Sequence, residues 1–384
     1  MRRIRTLVVD DSATIRKIVC GALRFDPEIE VVGEAADGRE ALAQIESTAP
    51  DAVTLDIEMP VMDGLEALRE IRRTRPRLAV IMFSTRTERG AVATLDALAL
   101  GADDYVTKPS GAEGLPSAVQ KLRDELIPRI KELCRSRVAR AEAAERRAPP
   151  PAPPEAPRRV APRPAQEPFL TSEREIVGGT RRADLVALAA STGGPSALTD
   201  FFRALPRDLA APILVAQHMP PLFTRLLAER LAARTGLDVR EAVDGERLLS
   251  GMARIAPGDR HLVVRRERGA FYAALTDDLP EHSCRPAADP LFRSLAAAAG
   301  PNALCVLLTG MGRDGCDGAR SVRAAGGAVV AQDEASSVVW GMPGAVVRAG
   351  LADEVLPLSR IPLEVQRRVA VGRSSFPLPT PASV

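Results

Sequence analysis

The chain has 384 residues, more than one ordinary core accommodates, so two domains are expected. Hydrophobic residues at 46% and charged residues at 27% are those of a soluble globular protein, while aromatics at 3% and a net charge of +2 argue against a nucleic-acid partner. No apolar run approaches the roughly 18 residues of a membrane span, so no direct membrane insertion is expected. The start, MRRIRTLVVDDS, carries two acids where an export signal would need its apolar stretch. The five cysteines are odd in number and form no CxxC pair, which points to a reduced, cytoplasmic protein.

In chain order, β-rich runs occur at residues 5–10, 29–35, 52–56, 79–84 and 102–107, separated by helix-like stretches. This alternation predicts βαβ units and a parallel sheet, with ligands outside the carboxyl ends of the strands. Asp10 and Asp11 end the first run, Asp56 the third, Ser84 and Thr85 the fourth, and Lys108 follows the fifth. Clustered carboxylates repel one another unless a cation compensates them, and hard oxygen donors suit Mg²⁺. A carboxylate beside Mg²⁺ and a lysine can attack a phosphoryl group, because both cations offset the charge that develops. Asp37 and Asp63 read instead as helix caps.

The motifs DDS, LDIEMPVMDG, FST and TKP resemble those of response-regulator receiver domains. The resemblance implies a flavodoxin-like (βα)5 fold over residues 1–125 and a histidine kinase as phosphodonor. It implies that Asp56 is the phosphoacceptor and that Asp10, Asp11 and Asp56 hold Mg²⁺ together with the backbone carbonyl of Glu58. Ser84 and Tyr105 correspond to switch positions, and Lys108 to the partner of the phosphoryl group.

Residues 117–147 read as a charged helix interrupted at Pro128, leading into a proline-rich extended linker at 148–168. The whole connecting segment is taken as 126–181.

Further strands are expected at 184–190, 211–217, 303–309 and 326–332. Ser191 follows the first, His218 follows the second ahead of Met-Pro-Pro, and Asp314 lies in the loop TGMGRDG after the third. Nucleophilic catalysis needs this set: a hydroxyl, an imidazole to take its proton, and a carboxylate to orient the imidazole. The loop ASTGGPS lacks the lysine of a P-loop and the spacing of a dinucleotide fingerprint. Its glycines suit a tight turn presenting Ser191 at a helix start, with backbone N–H groups near Thr192, Met311 and Gly312 forming an oxyanion hole. His261 and His282 read as structural, and the three histidines lack metal-binding spacing. Cys316 reads as a small space-filler.

The blocks AASTGGPSAL, PILVAQHMPPLFT, IAPGDRHL, VLLTGMGRDG and AQDEASSVVWGMP resemble the catalytic domain of the CheB chemotaxis methylesterase family over residues 182–371. This implies a doubly wound, mainly parallel α/β domain, with Ser191 as nucleophile, His218 as general base and Asp314 as its orienting acid. Thr192 and Met311 correspond to oxyanion or supporting positions. The implied substrates are glutamate γ-methyl esters on methyl-accepting chemoreceptors, with deamidation of certain glutamines in some members and no cofactor for ester hydrolysis. The chain departs from the family where His-Arg-Pro-Ser-Val-Asp is common, carrying Cys284-Arg285-Pro286-Ala287-Ala288-Asp289. Residues 372–384 are expected to be a disordered tail.

Overall fold

A computed structural model describes residues 2–85, 87–109, 115–147 and 181–372, so the expected proline-rich linker and the tail from 373 lie outside the described residues. The first half runs β1 (Ile4–Val9), α1 (Ala13–Leu23), β2 (Ile29–Ala35), α2 (Gly38–Thr48), β3 (Ala52–Asp56), α3 (Gly64–Thr74), β4 (Ala79–Ser84), α4 (Glu88–Ala99), β5 (Asp104–Thr107) and α5 (Leu115–Arg147). Its strands pair in parallel in the order β2-β1-β3-β4-β5, the flavodoxin-like winding. β3 and β4 are buried along their whole length, which explains why apolar residues dominate them, up to Asp56 and Ser84 at their carboxyl ends. The strand order reverses between β1 and β3, and this opens a crevice where Asp10 and Asp56 emerge.

Local capping sets the helix starts. Ser12 accepts from the Ile15 amide, Asp37 caps α2, and Asp63 forms a capping box with Glu66 at α3, as the sequence predicts for both aspartates. The expected break at Pro128 does not occur, and α5 runs through it for 33 residues. Leu122, Leu126, Ile130 and Leu133 bury one stripe of α5 on the core of the first half, and that packing carries the helix across the lost hydrogen bond.

The second half runs β6 (Leu185–Ala190), α6 (Gly194–Arg203), β7 (Ile213–Gln217), α7 (Pro221–Thr235), β8 (Asp238–Glu241), β9 (Met252–Ile255), β10 (His261–Glu267), β11 (Ala270–Thr276), α8 (Ala288–Ala299), β12 (Ala303–Leu307), α9 (Cys316–Ala324), β13 (Ala328–Gln332), α10 (Met342–Arg348), β14 (Glu354–Leu356) and α11 (Ile361–Ala370). Seven strands pair in parallel in the order β14-β13-β12-β6-β7-β9-β8, while β10 and β11 form a separate antiparallel hairpin. The four expected strands are the buried centre. The sequence reading missed β8, β9, β14 and the hairpin, of which β8 (DVRE) and the end of β10 (RRE) are the polar parts. In β9, Arg254 is buried because Glu246 (2.9 Å) and Asp238 (3.2 Å) pair with it.

The halves pack through α4, which lies against α6 and α7. Ser196 Oγ donates to the Leu98 carbonyl (3.0 Å), Arg230 pairs with Asp96 (2.6 Å), and Arg225 pairs with Glu88 (2.9 Å). The ring of Tyr105 stacks on Phe223 of α7 with centroids 4.8 Å apart.

One glycine holds the first rim closed. A Cβ on Gly64 would lie 1.9 Å from the Asp56 carbonyl oxygen. Gly64→Ala is expected to lower stability by about 1–3 kcal/mol or more, read as an earlier urea midpoint for the first transition.

Candidate functional sites

Asp10 and Asp56 are buried at the ends of β1 and β3, and Asp11 is exposed beside them. One carboxylate oxygen from each of the three lies within 4.8 Å of the others. Backbone amides fix the acids: Ser12 donates to Asp10 Oδ1 (2.9 Å) and Ile57 to Asp56 Oδ1 (2.7 Å). Lys108 Nζ stands 2.8 Å from Oδ2 of both Asp10 and Asp56. Burial pushes Asp56 up, and the charge of Asp10 adds to that against Lys108 and the Ile57 amide, leaving it at about 6. Burial works against the Lys108 ammonium, yet the two aspartates hold its pKa above the ordinary value.

Three carboxylates facing one ammonium leave negative charge to compensate, and their hard oxygens fit Mg²⁺. Asp11, Asp56, Glu58, Thr85 and Lys108 line a cleft of about 190 Å³ there. The Glu58 side chain is exposed and pairs with Arg89 (3.4 Å), leaving its backbone as the part nearest the predicted role. Ser84 is buried but turned into α4: its Oγ faces the carbonyls of Thr85 and Gly90 at 3.1 Å and accepts from Thr94 Oγ1 at 2.5 Å.

In the second half, Ser191 begins the loop between β6 and α6. Its amide donates to Thr309 O (3.0 Å), and its carbonyl accepts from Gly194 N (2.7 Å) and Gln217 Nε2 (3.1 Å). Gly193 caps α6 at φ 75°, a value that favours glycine. A Cβ on Gly310 would stand 2.9 Å from that of Ser191, so the β12 loop lies directly against the serine. The His218 amide donates to Ala190 O (3.2 Å), which sets the histidine at the neighbouring strand end.

His218 Nε2 lies 2.7 Å from Asp314 Oδ2. Asp314 also accepts the amides of Ala288 (2.6 Å) and Asp289 (3.0 Å) at the start of α8. Burial raises Asp314, but His218 and these amides outweigh it and hold the acid below the usual carboxylate range. Burial disfavours the His218 imidazolium, while hydrogen bonds with Asp314 and Cys284 and their charges push it up to about 10.

Asp314 takes Nε2, so Nδ1 is the ring nitrogen turned away from the acid. Among the described residues, Ser191 Oγ makes no hydrogen bond to His218, so the serine–imidazole bond is not closed in this arrangement. Thr192 is buried, and its hydroxyl donates to Asp104 Oδ2 of the first half at 2.6 Å. Met311 packs against the cluster in which Val339 joins the core of the first half, and Gly312 is exposed at φ 89°. Among the described residues, the Thr192 and Met311 amides donate to no acceptor, as oxyanion donors require.

The remaining sequence readings also find their places. His261 is fully buried, with Nδ1 accepting the Ala287 amide (3.2 Å), and Cys316 is buried, as space-filling predicts. Sequence reasoning did not identify the Ala288 and Asp289 amides, Cys284 beside His218, or Asp104 and Phe223 across the domain face. The departure at Cys284 was the visible signal for part of this. Asp314→Asn is expected to return His218 from about 10 toward the ordinary ~6.5, measured by NMR titration of its ring protons.

Residues 186–365 match the family described as CheB methylesterase, and residues 6–120 match the response regulator receiver domain. A Nocardioides protein named protein-glutamate methylesterase/protein-glutamine glutaminase is 49% identical over 376 residues, covering 98% of each chain. The protein of the same name from Trichodesmium erythraeum is 44% identical and covers 96% of this chain and 100% of its own. The crystal structure of the Thermotoga maritima CheB methylesterase catalytic domain is 41% identical, covers 48% of this chain and 98% of its own, and superposes with a TM-score of 0.47. With near-complete coverage at close to half identity, and with an α/β receiver preceding an α/β esterase domain, the chain belongs to the CheB methylesterase family.

Proposed function

We propose that the protein is a phosphorylation-activated hydrolase that cleaves glutamate γ-methyl esters on methyl-accepting chemoreceptors in the cytoplasm. Deamidation of receptor glutamines is the second reaction the same site would perform. The reading rests on family membership and on one observation, the His218–Asp314 pair at 2.7 Å on the rim where Ser191 begins its loop. Among the described residues no helix is long and apolar enough to cross a membrane.

Ser191 Oγ attacks the ester carbonyl while His218 Nδ1 takes its proton, and Asp314 steadies the imidazolium that forms. The amides of Thr192 and Met311 receive the oxyanion, with Gly312 giving the loop room to approach. Collapse breaks the bond to methoxide, which leaves as methanol with the proton from His218. Water then adds to the acyl-enzyme by the reverse proton route, freeing a glutamate carboxylate and Ser191.

Gating follows from the domain face. Thr192, next to the nucleophile, is tied to Asp104, and Tyr105 is stacked on Phe223. A histidine kinase would transfer its phosphoryl group to Asp56, beside which Asp10, Asp11, Asp56 and the Glu58 carbonyl would hold Mg²⁺. That ion supplies charge neutralisation for the incoming phosphoryl group. Lys108 pairs with the added phosphoryl oxygens, and Ser84 leaves the Gly90 carbonyl and Thr94 to follow them. Tyr105 then shifts, the Asp104–Thr192 bond is lost, and the rim opens.

Methanol release from a methylated receptor fragment tests this directly. A small-molecule phosphodonor with Mg²⁺ is expected to raise the rate, and Asp56→Ala should abolish the rise. Ser191→Ala is expected to lose roughly 10⁴-fold or more in kcat at unchanged folding. Undiminished turnover by Ser191→Ala would overturn the mechanism. Asp104→Ala should raise the unphosphorylated rate several-fold. A protonated His218 cannot accept the serine proton, so the acidic limb of kcat/KM should lie above the ~6.5 of ordinary imidazole.

A further inference from the structure

The turn after β11 brings a second set of donor groups to the edge of the esterase rim. Glu281 and Cys284 close it with reciprocal backbone hydrogen bonds of 3.1 and 2.8 Å. Its corner residues, His282 and Ser283, both adopt left-handed backbone, with φ of 52° and 60°. Asn-Gly is the common pair at such corners, and here histidine and serine occupy it. In this conformation His282 Nε2 stands 2.9 Å from Asp289 Oδ2. Asp289 is 1% exposed, and its other oxygen accepts the Gly318 amide at 2.6 Å, so the carboxylate is fixed with Oδ2 toward the histidine. Asp317, in the first turn of α9, completes the group: one donor atom from each of His282, Asp289 and Asp317 lies within 4.8 Å of the other two.

The spacing suits a small cation. Ligands ~2.0 Å from a tetrahedral ion stand about 3.3 Å apart, close to the His282–Asp289 separation. Asp317 is exposed, and its distances to Arg313 (3.6 Å) and Arg320 (3.9 Å) are those of loose pairs that an ion would displace. Two carboxylates and a neutral imidazole carry two negative charges, which a divalent ion cancels. An imidazole in the set favours a transition ion over Mg²⁺.

We propose that His282, Asp289 and Asp317 bind a divalent transition-metal ion of the zinc type, with water completing its coordination. The ion would be joined to the esterase rim through α8, because the Asp289 amide donates to Asp314 Oδ1 (3.0 Å). The proposal does not depend on what the esterase rim hydrolyses.

The test is calorimetric titration of Zn²⁺ into metal-stripped full-length protein, with excess Mg²⁺ present to compete at the receiver carboxylates. One Zn²⁺ per chain is expected, with affinity falling at least about 100-fold in His282→Ala and in Asp317→Asn. Asp10→Asn should leave it unchanged. Far-UV circular dichroism and melting of the stripped variants check folding, and either exposed-residue variant alone is sufficient. Co²⁺ in place of Zn²⁺ should give visible d–d bands without a thiolate charge-transfer band. Wild-type affinity in both folded variants, loss of binding in Asp10→Asn, or a thiolate band would overturn the assignment. Absence of Zn²⁺ binding by the wild type would reduce the cluster to a His282–Asp289 ion pair.

Discussion

Both rims depend on burying carboxylates at the carboxyl edge of a parallel sheet. Asp10, Asp56, Asp289 and Asp314 are each nearly inaccessible, and a buried carboxylate costs several kcal/mol unless charges and hydrogen bonds compensate it. The two rims meet that cost with opposite results. At the first, Lys108 and two backbone amides face Asp10 and Asp56, burial outweighs them, and Asp56 is pushed up to about 6. At the second, Asp314 has His218 and two amides, so the acid is held low and the imidazole high. One rim is left short of positive charge. The other holds a proton on the imidazole more tightly than an ordinary histidine would.

The short strand β5 links these environments. Asp104 reaches Thr192 on one side and Arg129 of α5 on the other, Tyr105 stacks on Phe223, and Lys108 lies just beyond the strand on Asp56. In the proposed gate, a change at Asp56 would reach the residue beside Ser191 through about one strand of backbone. Packed interfaces change between discrete arrangements and do not deform smoothly, which is the physical basis for the proposed gate. The arginine pairs from α7 to α4 surround this face and are partly exposed, so they orient the domains and hold them weakly.

The central strands were legible because helices cover both faces of the sheets, which forces continuous apolar runs such as residues 79–83 and 185–190. The caps Asp37 and Asp63 were legible because a cap bonds only a few residues away. Strands such as β8, with the sequence DVRE, were hidden because their charges find partners or solvent only in the folded sheet. Pro128 misled because packing against a distant sheet overrode its local preference. The scattered histidines spoke against a metal centre by spacing. His282 nevertheless meets Asp289 and Asp317, because a left-handed turn and two helix starts converge in space.

By itself the sequence determined the chemistry carried to each strand end: acids and a lysine in one half, a serine, a histidine and an aspartate in the other. Strand period, burial and loop position are local properties, so they are written in local residue order. Tertiary structure alone decided which nitrogen of His218 faces Asp314, that Ser84 turns into α4, and that Thr192 is bonded to Asp104. Each depends on contacts between residues far apart in the chain, whose distances and compensating charges exist only after the sheets have assembled.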